Sequence, residues 1–209
     1  MALVTVLTAD VVASRARGDV GPFLAGRLAG LEHPALLTPF TVSRGDEIQA
    51  LCRGSLEAPE IVRLLRYHCR PLSLRLGIGI GRGPAEGAAS SWELSGEAFF
   101  RAREALERTG KRGNLLTGVV CGDERLEAIA EALFGLLDAV WSRWTGGQWE
   151  AVMAYERHGT YEAAGRALGI AFQNAAKRCH SARWPAVRAA EAAARRLGEL
   201  IAQSSPQQG

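Results

Sequence analysis

From Leu72 to Ile80 the chain alternates without exception. Leu72, Leu74, Leu76, Ile78 and Ile80 occupy one parity, and Ser73, Arg75, Gly77 and Gly79 the other. A period of two fits a strand with one apolar face and excludes a helix. Glycines on the second face point to close packing of another backbone or of a ligand. The run continues through Gly81 and Gly83. It does not match the GxGxxG spacing and lies within a strand rather than between strand and helix, so it gives only weak support for a nucleotide.

The segments around this strand set the fold class. Ala2–Thr8 is an apolar, β-rich run ending in Ala9 and Asp10. Phe40–Ser43 and Ile48–Cys52 are short strand-like runs separated by Arg44, Gly45, Asp46 and Glu47, a hairpin signal. Leu115–Cys121 is a last strand. Helical spacing appears over Val20–Leu31, Ala58–His68 and Ser95–Arg108. The first six elements give β-α-β-β-α-β, the split βαβ arrangement. We therefore expect an α+β, ferredoxin-like or palm-like antiparallel sheet with helices on one face. After Gly122 the spacing is helical throughout. The expected organisation is a domain over 1–122, a connecting helix over 123–145, a helical module over 146–201 and a disordered tail over 202–209.

That topology brings two distant acids together. A right-handed crossover makes the first two strands parallel, and the third returns between them. The hairpin turn then lies at the same end of the sheet as the C-terminus of the first strand. Asp10 and Asp46 become neighbours there. Two adjacent carboxylates repel unless something neutralises them. Mg²⁺ with phosphate oxygens is one answer. Ion pairs with Arg15 and Arg44 are the other.

The charge is unevenly placed. Residues 1–140 carry 16 basic and 17 acidic side chains, whereas residues 141–209 carry 9 and 5. A basic C-terminal module fits a nucleic-acid partner. Its pattern agrees. Thr160 is a candidate N-cap, Ala164 and Leu168 have helical spacing, Gly165 is small at a crossing, Gly169 permits a turn and Ile170 plugs it. A second helix follows, with Ala175 inward and Gln173, Asn174, Lys177 and Arg178 outward. This is a helix-turn-helix pattern, whose second helix reads base edges in the major groove. Gln and Asn suit adenine, and Lys and Arg suit guanine or phosphate. Arg183, Arg188, Arg195 and Arg196 are candidate phosphate contacts.

Other classes are set aside. No apolar run reaches roughly 18 residues, so no membrane span is expected. Cys52, Cys69, Cys121 and Cys179 form no CxxC pair, which suits core thiols in a reducing cytoplasm.

Two resemblances emerge from these residues. LTADVVASR, FTVSRGDEIQAL, LRLGIGIG and GEAFFRAREALE, in this order, resemble the SatD family of bacterial proteins. The N-terminal half is also similar to the catalytic domain of class III nucleotide cyclases. That resemblance implies metal binding by Asp10 and Asp46, and a phosphate cradle at Val11, Val12, Ala13 and Ser14, with Arg15 and Arg44 beside it. It also aligns Phe100 and Glu104 with a transition-state Asn and Arg. Losing one donor to developing charge typically costs about 10²–10³ in rate. The expectation is therefore a homodimeric DNA-binding regulator whose cyclase-like domain senses a nucleotide with Mg²⁺. The alternative is a metal-dependent nucleotidyl transferase or phosphohydrolase using Asp10 and Asp46.

Overall fold

A computed structural model describes residues 1–16, 18–43, 45–86, 90–111 and 115–204. Arg44, the side chain of Arg15 and the end of the expected tail lie outside the described residues. Among those described are five strands and eight α-helices. They run β1 (Ala2–Val11), α1 (Gly21–Leu28), β2 (Thr41–Ser43), β3 (Glu47–Arg53), α2 (Glu60–Cys69), β4 (Leu74–Gly83), α3 (Glu97–Lys111) and β5 (Thr117–Val120). There follow α4 (Glu124–Trp141), α5 (Gly146–His158), α6 (Tyr161–Leu168), α7 (Phe172–Ser181) and α8 (Trp184–Ser204). Among these residues no helix is long and apolar enough to cross a membrane. The chain divides into two compact units. One is Met1–Gly135 with Ala193–Gly209, and the other is Leu136–Ala192.

The first unit is built on one sheet, ordered β2-β3-β1-β4-β5. β1 is antiparallel to both β3 and β4, and β3 is antiparallel to β2. β4 and β5 are parallel. The sheet is thus mixed, which corrects the expected antiparallel sheet. The cause is α3, since a helical crossover between neighbouring strands returns the chain in the same direction.

Helices also cover both faces, not one. On the glycine face, a Cβ at Gly77 or Gly79 would enter the backbone of α3 at Ala98, Ala102 and Leu106. Val4 and Val6 share that face with Leu51, Ala98, Phe99 and Ala102 in one buried cluster. Leu76, Ile78 and Ile80 on the other face are at most 1% exposed. There α2 reaches the sheet through Arg66, which donates to the Leu74 carbonyl (2.9 Å) and the Thr117 hydroxyl (2.8 Å). Each such apolar side chain contributes about 1.5–3 kcal/mol on burial. The bare strand face in the sequence is therefore a seat for a helix backbone.

Two ion pairs tie this unit further. Buried Glu127 accepts from Arg108 (2.7 Å) and from the backbone N–H of Cys121 and Gly122 (2.9 Å each). Burial pushes the Glu127 carboxyl up, but Arg108 and the two N–H groups outweigh it and hold it below its usual range. Arg195 near the end of α8 donates to the Glu57 carbonyl (2.7 Å) and the Glu60 carboxylate (2.8 Å). Gly198 lies against the Ser55 backbone. These contacts group the end of α8 with the sheet. The compact division at 135/136 and 192/193 accordingly differs from the expected module over 146–201.

In the second unit, Gly146 and Gly147 open α5 rather than simply breaking the helical run. Thr145 and Gln148 close a reciprocal capping box there, which supplies the end with the partners that glycine cannot. Trp144 and Trp149 meet edge to face at 4.6 Å. Trp144 also donates its indole N–H to the Ala182 carbonyl (2.8 Å), fixing the turn after α7.

The four cysteines are buried and free. Burial raises the Cys52 and Cys69 thiols to about 12 and Cys179 to about 11. They are core thiols, as the sequence suggests.

Candidate functional site

Asp10, at the sheet end, is paired with a residue that sequence reasoning placed only as a strand filler. Asp10 lies inside β1, directly across from Arg75 of β4. Arg75 grips it with both nitrogens: Nε donates to Oδ1 at 2.8 Å and Nη2 to Oδ2. The Asp10 bond lifts the Arg75 guanidinium above its usual range, burial opposes that, and the charges of Asp10 and Asp46 add to it. Asp46 sits in the turn between β2 and β3. The structure thus brings both predicted acids to one place, around Arg75. The expected pairs with Arg15 and Arg44 lie outside the described residues.

This donor set does not fit Mg²⁺ in the arrangement seen. A divalent cation needs carboxylate lone pairs that face it. Both Asp10 oxygens face Arg75 instead. Among the described residues, no group of three or more His, Cys, Asp or Glu could hold a metal.

The segment after Asp10 begins as part of the sheet. Val11 pairs with Leu74 in the sheet. Val12 donates its N–H to the Ser73 carbonyl (2.9 Å). Ala13 adopts φ +57°, an uncommon conformation for a side-chain-bearing residue, and leads into a short 3-10 turn at Ser14–Ala16. Phe100 and Glu104 both lie on α3. Phe100 is 69% exposed, and Glu104 pairs with Arg108 (2.7 Å) on the same helix. Nearby Arg101 donates to the Ile80 carbonyl (2.7 Å) and pairs with Glu97.

The second candidate site is the surface of α7. Thr160 caps α6 by accepting from the Ala163 N–H (3.2 Å). α6 ends at Gly169 in the left-handed region, φ +65°, where a side chain would be strained. Gly165 is buried at the crossing, and a Cβ there would press on the Ile170 carbonyl (2.9 Å) and Phe172. Ala164, Ala175 and Cys179 are fully buried. With those positions turned inward, Gln173, Asn174 and Lys177 are exposed. His180 and Ser181 extend the same face by one turn. The sequence reading missed both, although His180 stands seven positions after Gln173. His180 also lies 6.2 Å from Tyr161, which stacks on Tyr155 at 4.6 Å.

Not every predicted cation shares that face. Arg178 is half-buried, with its guanidinium against Gly147. Arg183 is exposed in the turn after α7, at φ +56°. Arg188 and Arg196 are exposed. Arg195 is engaged with Glu57 and Glu60, which removes it from the candidate phosphate contacts.

Comparison with protein families matches residues 27–174 to the SatD family. No curated protein matches the chain.

Proposed function

The chain belongs to the SatD family, and from that premise we propose that it is a DNA-binding regulator that reads duplex DNA through α7. The observation that carries this reading is the exposed row Gln173, Asn174 and Lys177 on a helix that follows a tight glycine turn. We read α6 and α7 as a helix-turn-helix. α6 would cross the backbone, and α7 would enter the major groove with its first residues on base edges. In that pose Gln173 and Asn174 suit the adenine N6–N7 edge, and Lys177 suits guanine or phosphate. Arg183 would position the module on a phosphate.

The sheet order β2-β3-β1-β4 supports a ferredoxin-like, cyclase-related reading of the first unit. A nucleotidyl transferase or phosphohydrolase would need Asp10 for metal, and Arg75 stands against it. A nucleotide effector at Val11, Val12, Ala13, Ser14, Arg15 and Arg44 would have to favour one state of the protein over another.

The test is selection of bound sequences from random duplexes by the full chain and by Asn174→Ala. The reading predicts an enriched site for the natural chain, relaxed at one base pair in the variant. A pool that shows no enrichment contradicts it.

A further inference from the structure

α4 is built inside out. Its acids Glu127, Glu131 and Asp138 are buried. Its solvent face carries Ala128, Ile129, Ala132, Leu136 and Ala139, all exposed, without a polar side chain among them. Ile129 is 55% and Leu136 70% exposed. A Cβ at Gly135 would meet nothing within 4 Å. A helix face of this kind in water costs solvation free energy along its length, about 18 Å from Ala128 to Ala139. Ordinary solvent-facing helices carry charge there instead.

The ends of the face say what covers it. Arg125 lies at its N-terminal end and Arg143 just past its C-terminal end, both exposed. In a parallel pair of such helices, each arginine would meet its own copy and repel it. In an antiparallel pair crossing near Ala132, Arg125 lies at the partner's helix C-terminus. Carbonyls there lack intrahelical donors, and the dipole favours a cation. Arg143 lies at the partner's Asp123 and Glu124. The protruding Ile129 and Leu136 then oppose one another across the two-fold axis. The small residues Ala128, Ala132, Gly135 and Ala139 allow close approach. One face serves both copies, as a two-fold interface requires.

We propose that the exposed apolar face of α4 is the docking surface for a second copy of this chain, packed antiparallel. This goes beyond the DNA-binding reading and stands without it.

Sedimentation equilibrium of the full chain tests it, with Ile129→Glu/Leu136→Glu as the variant. The natural chain is expected to be a dimer, and the variant a monomer with unchanged far-ultraviolet dichroism. Cysteine cross-linking tests the direction, because the natural thiols are buried. Ala132→Cys is expected to cross-link across the axis and Arg125→Cys is not. A natural chain that sediments as a monomer overturns the proposal. So does a dimer that survives both glutamates, or efficient cross-linking through Arg125→Cys.

Discussion

The sheet unit and the α7 surface of the helical unit place their polar groups in opposite ways. In the sheet unit, acids meet arginines within the fold: Asp10 with Arg75, Glu127 with Arg108, Glu60 with Arg195. In the helical unit, α7 turns small apolar residues inward and leaves Gln173, Asn174 and Lys177 to the solvent. A charge matched inside a fold contributes to stability and register, whereas polar groups left in a row on a helix are available to a partner. In the arrangement seen, Asp10, one of the two acids that look like a metal site in sequence, is paired with Arg75. The contrast explains why the functional reading rests on the other unit.

The comparison can be broken most severely at the glycine face of β4. Gly79→Val would drive its side chain into the backbone of Ala98 and Ala102. Overpacking typically costs about 1–3 kcal/mol, and backbone that cannot yield raises this. We expect Gly79→Val to abolish the cooperative urea transition of the full chain. A variant with the natural midpoint would mean that α3 does not seat on that face.

Glu127 sharpens the claim that the sheet unit satisfies its own charges. Glu127→Ala leaves two backbone donors without their acceptor and Arg108 with Glu104 alone, at about 3 kcal/mol. The pH dependence has a definite sign. Because the folded carboxyl lies below its ordinary value of 4.5, its contribution is present above that value. It is lost as pH falls through the lower folded value. Acid titration of urea midpoints should therefore show a steeper loss below pH 4.5 for the natural chain than for Glu127→Gln. Equal profiles would remove Glu127 from the account.

Effects on the helical unit should appear in binding and leave folding nearly untouched. Asn174→Ala should cost about 1–3 kcal/mol at a preferred site, by competition against matched duplexes. The exposed residue makes no core contact, so its thermal midpoint should stay with the natural chain. An unchanged site preference would take α7 out of the groove.

The smallest effect is expected at the acid pair. Arg75 and Asp10 are 37% and 21% exposed along their side chains, so solvent weakens the pair. Asp10→Asn should cost no more than about 1 kcal/mol. A cation that binds the folded chain raises its stability. Mg²⁺ should therefore leave the thermal midpoint of the natural chain where it is, as it should for Asp46→Asn. A Mg²⁺-dependent rise lost in Asp46→Asn would restore the metal reading.

Much of the element order was legible because periodicity is local. The alternation of Leu74, Leu76, Ile78 and Ile80 marks β4, and Gly165 and Gly169 mark the crossing and turn between α6 and α7. Register was not legible. Arg75 is visible on the polar parity of its strand, but only the pairing of β1 with β4 puts it opposite Asp10. The parallel β4–β5 pair depends on β5 lying beside β4 in the sheet, and no spacing encodes that. The end of α8 was assigned by continuity to the helical module. Its attachment to the sheet unit depends on Arg195 and Gly198 meeting residues about 140 positions earlier, which a reading along the chain does not reach.

The central claim is that α7 is where this chain meets DNA. The most direct measurement is fluorescence anisotropy of the full chain on duplex DNA across a salt series, beside Gln173→Ala/Asn174→Ala and Lys177→Ala. We predict binding that weakens steeply with salt, with the slope reduced by about 0.9 in Lys177→Ala. The double variant should lose affinity for a preferred site with its slope intact. No binding at low salt, or binding indifferent to all three substitutions, would contradict the account.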